Sequence, residues 1–592
     1  MTGALPILAF PRADLGWLAW TALVPGMLLL AHAASNREAA FRGWAFGVGY
    51  LLAALYWTLP YIGPALPLIA VVFGALWGPW GVAVRMLVPR HPGFALLVLP
   101  SAWLTIELAR SRPALGGPWA VYGATQWHHP TELTLAALGG VWLISFALVA
   151  ANTALTLAVT TLPSLASHPS LFRPFTSTHP EPTPATTPHP EPALSRRSPS
   201  AFFRSAPSAT GDSEPGSSAT GFSERWGDAT SERSGTGCSA SVPSASDPPP
   251  RGPSEHVHPT GRSGSGGGGR GGRRRMGIAL GMVGLVLAIV GVGPLLYSMR
   301  AEPGTARTMR VNLVQTGVVT GAGRRLVSGF QMTEAAPPAD LTVWGESSVG
   351  VDLDRSPAVV QRLRALAAAR GPLLVNVDAE DAQGRISKTA VLVGPEGLRG
   401  RYTKTRLVPF GEYIPFRDAF GWLSDVSKAA GQDRVPGTGP TLMTSDGTRF
   451  GPLICFESAF PDLGRTLVRR GAEVIVYQSA TSSFQNSWAP AQHASLAAVR
   501  AAETGRPVVQ AAQTGVSAAF DARGRRLTWF DTDRRGTVSV TLDVPRATSR
   551  TLYDRVGDVV PFVSLVTTAG MIVIAVWKRQ KEVKGRGVSK RG

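Results

Sequence analysis

Hydropathy divides the chain into three kinds of segment. Up to about residue 162, long apolar runs are broken only by short polar stretches. The runs at 15–33, 43–62, 65–87, 93–108 and 133–159 are apolar nearly all round, whereas a soluble core helix keeps a polar face. About 20 such residues cross a hydrocarbon core, so these runs predict five spans. A shorter apolar stretch, 4–10, cannot cross and reads as the end of a helix whose beginning is missing from this start site. Residues 163–275 are crowded with Pro, Ser, Thr, Gly and His. They cannot bury enough apolar surface to offset chain entropy and read as a disordered linker. Residues 276–299 and 551–578 then hold two more spans, with apolar cores at 276–297 and 559–577 and a basic tail at 579–592.

Between those last spans, residues 300–550 change period. Short apolar runs at 309–314, 341–344, 372–377, 389–393, 451–454 and 472–477 have strand length, and 492–504 is an Ala-rich helical stretch. Alternating strands and helices predict a layered α/β domain, large enough for its own core. The fold expected is therefore an α-helical transmembrane bundle of seven to eight spans carrying one α/β domain.

Charge gives the orientation. The 592-residue chain has a formal net charge of +19, yet only 16% of its residues are charged and 44% are hydrophobic. A nucleic-acid binder gathers its basic residues into a patch on a folded domain. Here part of the basicity flanks apolar runs, at Arg270, Arg273, Arg274 and Arg275 and in the tail, as the positive-inside rule describes. The tail and linker are thus placed in the cytoplasm and the α/β domain outside it. The loops with Arg37 and Arg42, and with Arg85 and Arg90, also fall inside; Arg110 and Arg112 are an exception. The apolar start lacks a basic n-region, so no cleavable signal peptide is evident.

Two cysteines exclude a disulfide framework, and Cys238 lies in the linker. Cys455 closes the apolar run Gly451-Pro452-Leu453-Ile454, where a strand would stop and a turn begin. A nucleophile is often presented at such a place, although a lone cysteine is as readily a small core hydrophobe. Two other segments favour the nucleophile. Glu346 ends the apolar run from Leu341, and Lys404 precedes the turn Leu407-Val408-Pro409-Phe410-Gly411-Glu412-Tyr413-Ile414-Pro415. The linker histidines His168, His179, His189, His256 and His258 fit no closed zinc pattern.

The order Glu346, Lys404, Cys455 in these contexts resembles the carbon–nitrogen hydrolase (nitrilase) superfamily, with the Leu407–Pro415 turn as its most specific match. That resemblance implies an αββα sandwich with Glu346 as general base, Lys404 as oxyanion stabiliser and Cys455 as nucleophile. A domain of this kind flanked by spans resembles the apolipoprotein N-acyltransferases. Further local matches are Ile106-Glu107-Leu108-Ala109-Arg110 with Gly117-Pro118-Trp119 and Gln126, Ala491-Gln492-His493 with Arg500 to Glu503, and Thr551 to Asp558.

This second resemblance implies an enzyme in the inner membrane with its catalytic domain on the periplasmic side. A phospholipid gives an acyl chain to the cysteine as a thioester. The amine of a diacylglyceryl-modified lipoprotein then takes the chain as an amide, without ATP, metal or cofactor. The resemblance places Glu412 beside Lys404 and lines the site with Glu457; the oxyanion would also meet a backbone N–H beside Phe456. Tyr413 and Phe416 are expected to be packing residues, and Glu107 and Gln126 to be loop polar groups. Ala480-Thr481-Ser482-Ser483-Phe484 departs from the family's usual Asn-Asp-Ala/Gly-Trp-Phe; so do Gly321–Arg325, where a Trp is usual, and Phe456, where a Tyr is usual. The chain is expected to act as a monomer on membrane lipids. Two other readings stay open: a membrane-tethered amidase passing the acyl group to water, and a non-catalytic scaffold in which Cys455 is dispensable.

Overall fold

The computed structural model describes residues 1–115, 117–162, 268–380, 383–426 and 431–588. The expected linker therefore lies outside the described residues, except that 268–275 already belong to the helix Gly268–Met299. Six helices among the described residues are long and apolar enough to cross a membrane: Asn36–Ile62, Ala65–Leu87, Pro92–Arg110, Pro130–Thr161, Arg275–Met299 and Val559–Lys581. The first expected span, 15–33, is instead a 3-10 turn Gly16–Trp20 followed by a helix Val24–Ala31. Pro25 opens that helix because it lacks an N–H. The broken backbone is satisfied by one distant side chain: Leu23 N–H donates to Asn152 Oδ1 (2.9 Å), and Asn152 Nδ2 donates to the Ala19 carbonyl (2.8 Å).

The helical region packs around aromatic rings. Trp103 has Phe46, Tyr50, Trp77, Trp80 and Tyr122 within 5.4–6.3 Å between centroids. Pro130–Thr161 is broken at Gly139 and Gly140, which leave helical geometry. Gly140 has φ +72°, and a Cβ there would stand 2.6 Å from the Tyr553 ring. The Val141 N–H freed by the kink donates to Glu503 Oε1 (2.8 Å), a carboxylate of the α/β domain. A buried N–H without an acceptor is costly, so Glu503 makes the break tolerable. Arg275–Met299 and Val559–Lys581 bury little of their apolar surface, as lipid-facing helices do.

Helix sides are set by contact. Tyr56, Trp57 and Tyr61, at the end of one membrane helix, meet the α/β domain at Phe484 and Trp488. Arg85 marks the far end, donating to the Ala33 carbonyl (2.8 Å) and to Asn36 Oδ1 (2.7 Å). Arg110, the exception in the charge pattern, is buried and donates to the Trp119 carbonyl (2.8 Å), so its place follows from packing rather than from orientation.

The α/β domain has two six-stranded sheets. One runs β12(Gly536–Pro545)–β1(Thr305–Gln315)–β2(Leu341–Trp344)–β3(Leu373–Glu380)–β4(Ile386–Gly394)–β5(Gly397–Thr403). The other runs β11(Arg526–Phe530)–β10(Ser517–Phe520)–β9(Val508–Ala512)–β8(Val474–Ser479)–β7(Thr448–Ile454)–β6(Met443–Ser445). Between strands, parallel pairing runs through β1–β2–β3 and β7–β8–β9; β2, β8 and β9 are wholly buried and β7 nearly so, as is the paired part of β1, Val311–Val314. Helices Ala322–Ala335 and Pro357–Arg370 cover the first sheet, with Phe330, Leu363 and Leu366 packed on Trp344 and Val375. Pro461–Arg469 and Ala489–Thr504 cover the second, which completes an αββα sandwich. Gln478 ties the sheets together, donating to the Trp344 (2.8 Å) and Leu374 (3.1 Å) carbonyls.

Candidate active site

Three strands end at one place. Glu346 follows β2, Lys404 follows β5 and Cys455 follows β7, so each side chain leaves a rigid strand where the backbone turns away from the sheet. Gly345 lets the sheets close: a Cβ there would lie 2.0 Å from the Gln513 nitrogen, and the next N–H, of Glu346, donates to the Ser479 carbonyl (3.1 Å). Cys455 has φ +52°, an uncommon conformation for a residue with a side chain, and starts the 3-10 turn Cys455–Ala459. Cys455 as a residue is half-buried, while Glu346 and Lys404 are buried.

The Lys404 ammonium lies 2.9 Å from Glu412 Oε1 and 3.4 Å from Glu346 Oε1. Two of its three N–H groups are thereby taken, and one remains for a substrate oxygen. Burial works to raise the Glu346 pKa, but the Lys388 and Lys404 ammonium groups and a hydrogen bond from the Cys455 thiol outweigh it and hold it at about 2. The Cys455 thiol is pushed up to about 12, by burial first and then by the Glu346 carboxylate. Burial works against the charge on Lys404, yet Glu412 and Glu346 raise its pKa overall. At rest the site therefore holds a thiol beside a carboxylate, with the proton on sulfur.

Glu412 links Lys404 to its own turn, since its Oε2 accepts from Val408 N–H (2.9 Å). Glu457 has no side-chain atom left for a substrate. Its Oε1 accepts from Tyr402 Oη (2.7 Å), Thr405 N–H (2.7 Å), Thr405 Oγ1 (2.8 Å) and Arg406 N–H (3.0 Å), and its Oε2 accepts from Ile454 N–H (2.7 Å). It fastens the loop after Lys404 to the Cys455–Ala459 turn. Phe456 is buried and packs edge-on against Phe460, 5.2 Å between centroids.

Two neighbours were not among the expected site residues. Lys388, on β4, lies 3.2 Å from Glu346 Oε1. Buried His493 has Nε2 3.5 Å from Ser458 Oγ, and burial lowers its pKa to about 4 despite a hydrogen bond to the Cys455 backbone. Its ring stacks on Trp119 of the helical region, 6.4 Å between centroids. Gly117 of the same loop closes on Phe456 and Phe460; a Cβ there would lie within 2.8 Å of both rings.

Other expectations need correction. Phe416 does not pack: it is 68% exposed, because its φ of +52° turns the chain outward at the start of Arg417–Phe420. Glu107 is no loop group but a buried helix residue, accepting from Trp103 Nε1 (3.0 Å) and Tyr122 N–H (2.7 Å). Gln126 is buried too, donating to the Gly16 carbonyl (2.9 Å).

Residues 2–154 match the family described as apolipoprotein N-acyltransferase N-terminal domain, and residues 288–550 match carbon-nitrogen hydrolase. A curated apolipoprotein N-acyltransferase of Geobacter metallireducens is 24% identical over 609 residues, covering 98% of this chain and 95% of that one. Another, from Sinorhizobium medicae, is 31% identical over 290 residues, covering 45% of this chain and 54% of its own. Among solved structures, an amidase from Nesterenkonia sp. is 20% identical with a TM-score of 0.30, covering 42% of this chain and 96% of that one. The two family matches cover both the helical region and the sandwich, and the chain belongs to the apolipoprotein N-acyltransferases, with a domain of the carbon-nitrogen hydrolase superfamily.

Proposed function

We propose that the protein N-acylates lipoproteins in two steps through a thioester on Cys455. A phospholipid ester carbonyl is attacked by the Cys455 sulfur while Glu346 takes the thiol proton. The thiol is held up at about 12, so this proton leaves as the carbon–sulfur bond forms rather than beforehand. The tetrahedral oxyanion is met by the remaining Lys404 N–H and by the backbone N–H of Phe456. Collapse expels the lysophospholipid alkoxide, which recovers the proton from Glu346. The N-terminal amine of a diacylglyceryl-modified lipoprotein then attacks the thioester and gives its proton to Glu346. Sulfur leaves and is reprotonated, and the product is an amide. The free energy of the thioester drives the second step.

The observation that carries this reading is the convergence of Cys455, Glu346 and Lys404 at the face of the sandwich that rests on the membrane helices. Both substrates are lipids, so a nucleophile at the helix ends is where they arrive. The chain is an integral membrane protein. The basic ends of its last two spans favour an inner-membrane placement with the catalytic domain on the periplasmic side.

The test is incubation of detergent-purified protein with a labelled phospholipid and no acceptor. A hydroxylamine-labile acyl group on the Cys455 peptide, absent in Cys455→Ala, is expected. A diacylglyceryl lipopeptide should then remove it as an amide. Release to water alone would make the protein a hydrolase rather than a transferase, and folded protein that forms no adduct would refute the reading.

A further inference from the structure

Lys388 lies one residue before the expected strand 389–393, and it is buried beside Glu346. All three of its N–H groups have acceptors: Ser347 Oγ at 2.8 Å, Asp378 Oδ2 at 3.1 Å and Glu346 Oε1 at 3.2 Å. These belong to β3 and to the turn after β2. The turn itself is strained, with Ser347 at φ +57°. It is further held by Ser347 N–H donating to Asn376 Oδ1 (2.9 Å) and Ser347 Oγ donating to Asp378 Oδ2 (2.8 Å).

We propose that Lys388 is a positioning residue of this site, clamping the Glu346 turn and keeping the general base ionised in the free enzyme. The proposal rests on the reading of Glu346 as the base. Lys388 is not a catalytic residue, because it has no N–H left for substrate. Its division of labour with Lys404 follows from geometry. Lys404 is shared between Glu412 and a longer contact to Glu346, so it can turn toward an oxyanion; Lys388 stays behind and holds the carboxylate.

The charges around Glu346 balance. Lys388 from β4, Lys404 after β5 and Arg434, which pairs with Asp378, face Glu346, Asp378 from β3 and Glu412. Cys455 and His493 complete the titratable groups that face the base. When Glu346 accepts the Cys455 proton, the charge that develops on the substrate oxyanion beside Lys404 replaces the charge lost, so the network stays balanced during attack. Without Lys388, Glu346 and Asp378 share one cation fewer, and protonation of Glu346 in the resting enzyme becomes easier.

The test uses full-length protein with Cys238→Ser, so that Cys455 is its only thiol. Its rate of alkylation by iodoacetamide is followed from about pH 3 to pH 8, beside thioester formation from a labelled phospholipid. Lys388→Gln should move the acid limb of both profiles up by about one to three pH units, the effect of losing an adjacent opposite charge. Lys388→Arg should return it. Lys388→Gln with Asp378→Asn also removes the carboxylate that the single variant strands, which guards against unfolding, and its limb should lie between those of the parent and of Lys388→Gln. An unmoved limb in folded variants, or a loss uniform across pH, would overturn the proposal. The alkylation profile needs no lipid, so failure of wild-type thioester formation would refute the acyl-transfer reading separately.

Discussion

Glu457 separates an anchor from a base. It lies two residues after Cys455, yet it is fully buried and both its oxygens are engaged by the protein. Glu457→Ala would strand three backbone N–H groups, of Thr405, Arg406 and Ile454, in the interior. Each unpaired buried donor costs about 1–3 kcal/mol, and relaxation of the turn holds the total to about 3–5 kcal/mol. For a domain of this size that is a fall in Tm of about 10 °C. Glu457→Gln is the sharper test. Its amide oxygen can keep the Thr405–Arg406 cluster, but its NH2 then faces the Ile454 N–H, donor against donor. A cost of about 1–3 kcal/mol follows. The change also loosens the turn that sets Cys455 against Lys404, and displacement by about 1 Å costs on the order of 100-fold in rate. Thermal unfolding in detergent and the rate of Cys455 acylation measure the two effects. Because Glu457 moves no proton, the shape of the pH–rate profile should be unchanged. A Glu457→Gln protein as stable and as quickly acylated as its parent would refute the anchoring argument, and a shifted acid limb would make Glu457 a base after all.

With the Cys455 thiol raised to about 12, Cys455 is protonated at neutral pH, and its alkylation there depends on Glu346. Glu346→Gln should lose the neutral-pH plateau of iodoacetamide reactivity but keep the rise toward alkaline pH; an unchanged plateau would remove Glu346 from the reaction. At the helix kink, Gly140→Ala adds a methyl 2.6 Å from the Tyr553 ring at a φ of +72°. It should cost about 1–3 kcal/mol in thermal stability. Gly284→Ala, with nothing within 4 Å, should cost nothing measurable, and equal effects would contradict the packing described here.

Local signals carried far in this chain. β2 coincides with the expected run 341–344, and Cys455 and Glu346 stood out as the residues that end apolar strands. What stayed hidden depends on distant partners. The run 15–33 is apolar enough for a span, but Pro25 breaks it, and the break is stable only because Asn152 supplies both a donor and an acceptor. Lys388 sits one residue before the expected strand 389–393, where a lysine ordinarily faces water. Its burial depends on Asp378 and Glu346, which arrive from other strands. His493 belonged to a recognised stretch, yet only the fold brings it to the Cys455 backbone and to Trp119. Phe416 shows the reverse, since hydrophobicity alone gave no sign that its backbone turns it into the open.

On the proposed mechanism, the choice between water and an amine as acceptor does not lie in Glu346, Lys404 and Cys455, because hydrolysis and transfer would use the same three groups in the same roles. It lies in what stands over the thioester. Here the cover comes from the helical region: Gly117 closes on Phe456 and Phe460, and Trp119 lies on His493 behind the nucleophile. That loop is pinned from below by Arg110 at the Trp119 carbonyl and by Glu107 at Tyr122 N–H. Below it Trp103, on the helix Pro92–Arg110, and Tyr122 share one aromatic core. A wall built on apolar helices disfavours water more than it disfavours a lipid-borne amine, which enters with its own apolar chains. On this argument the sandwich supplies the chemistry of acyl transfer, and the membrane region supplies its preference for transfer over hydrolysis.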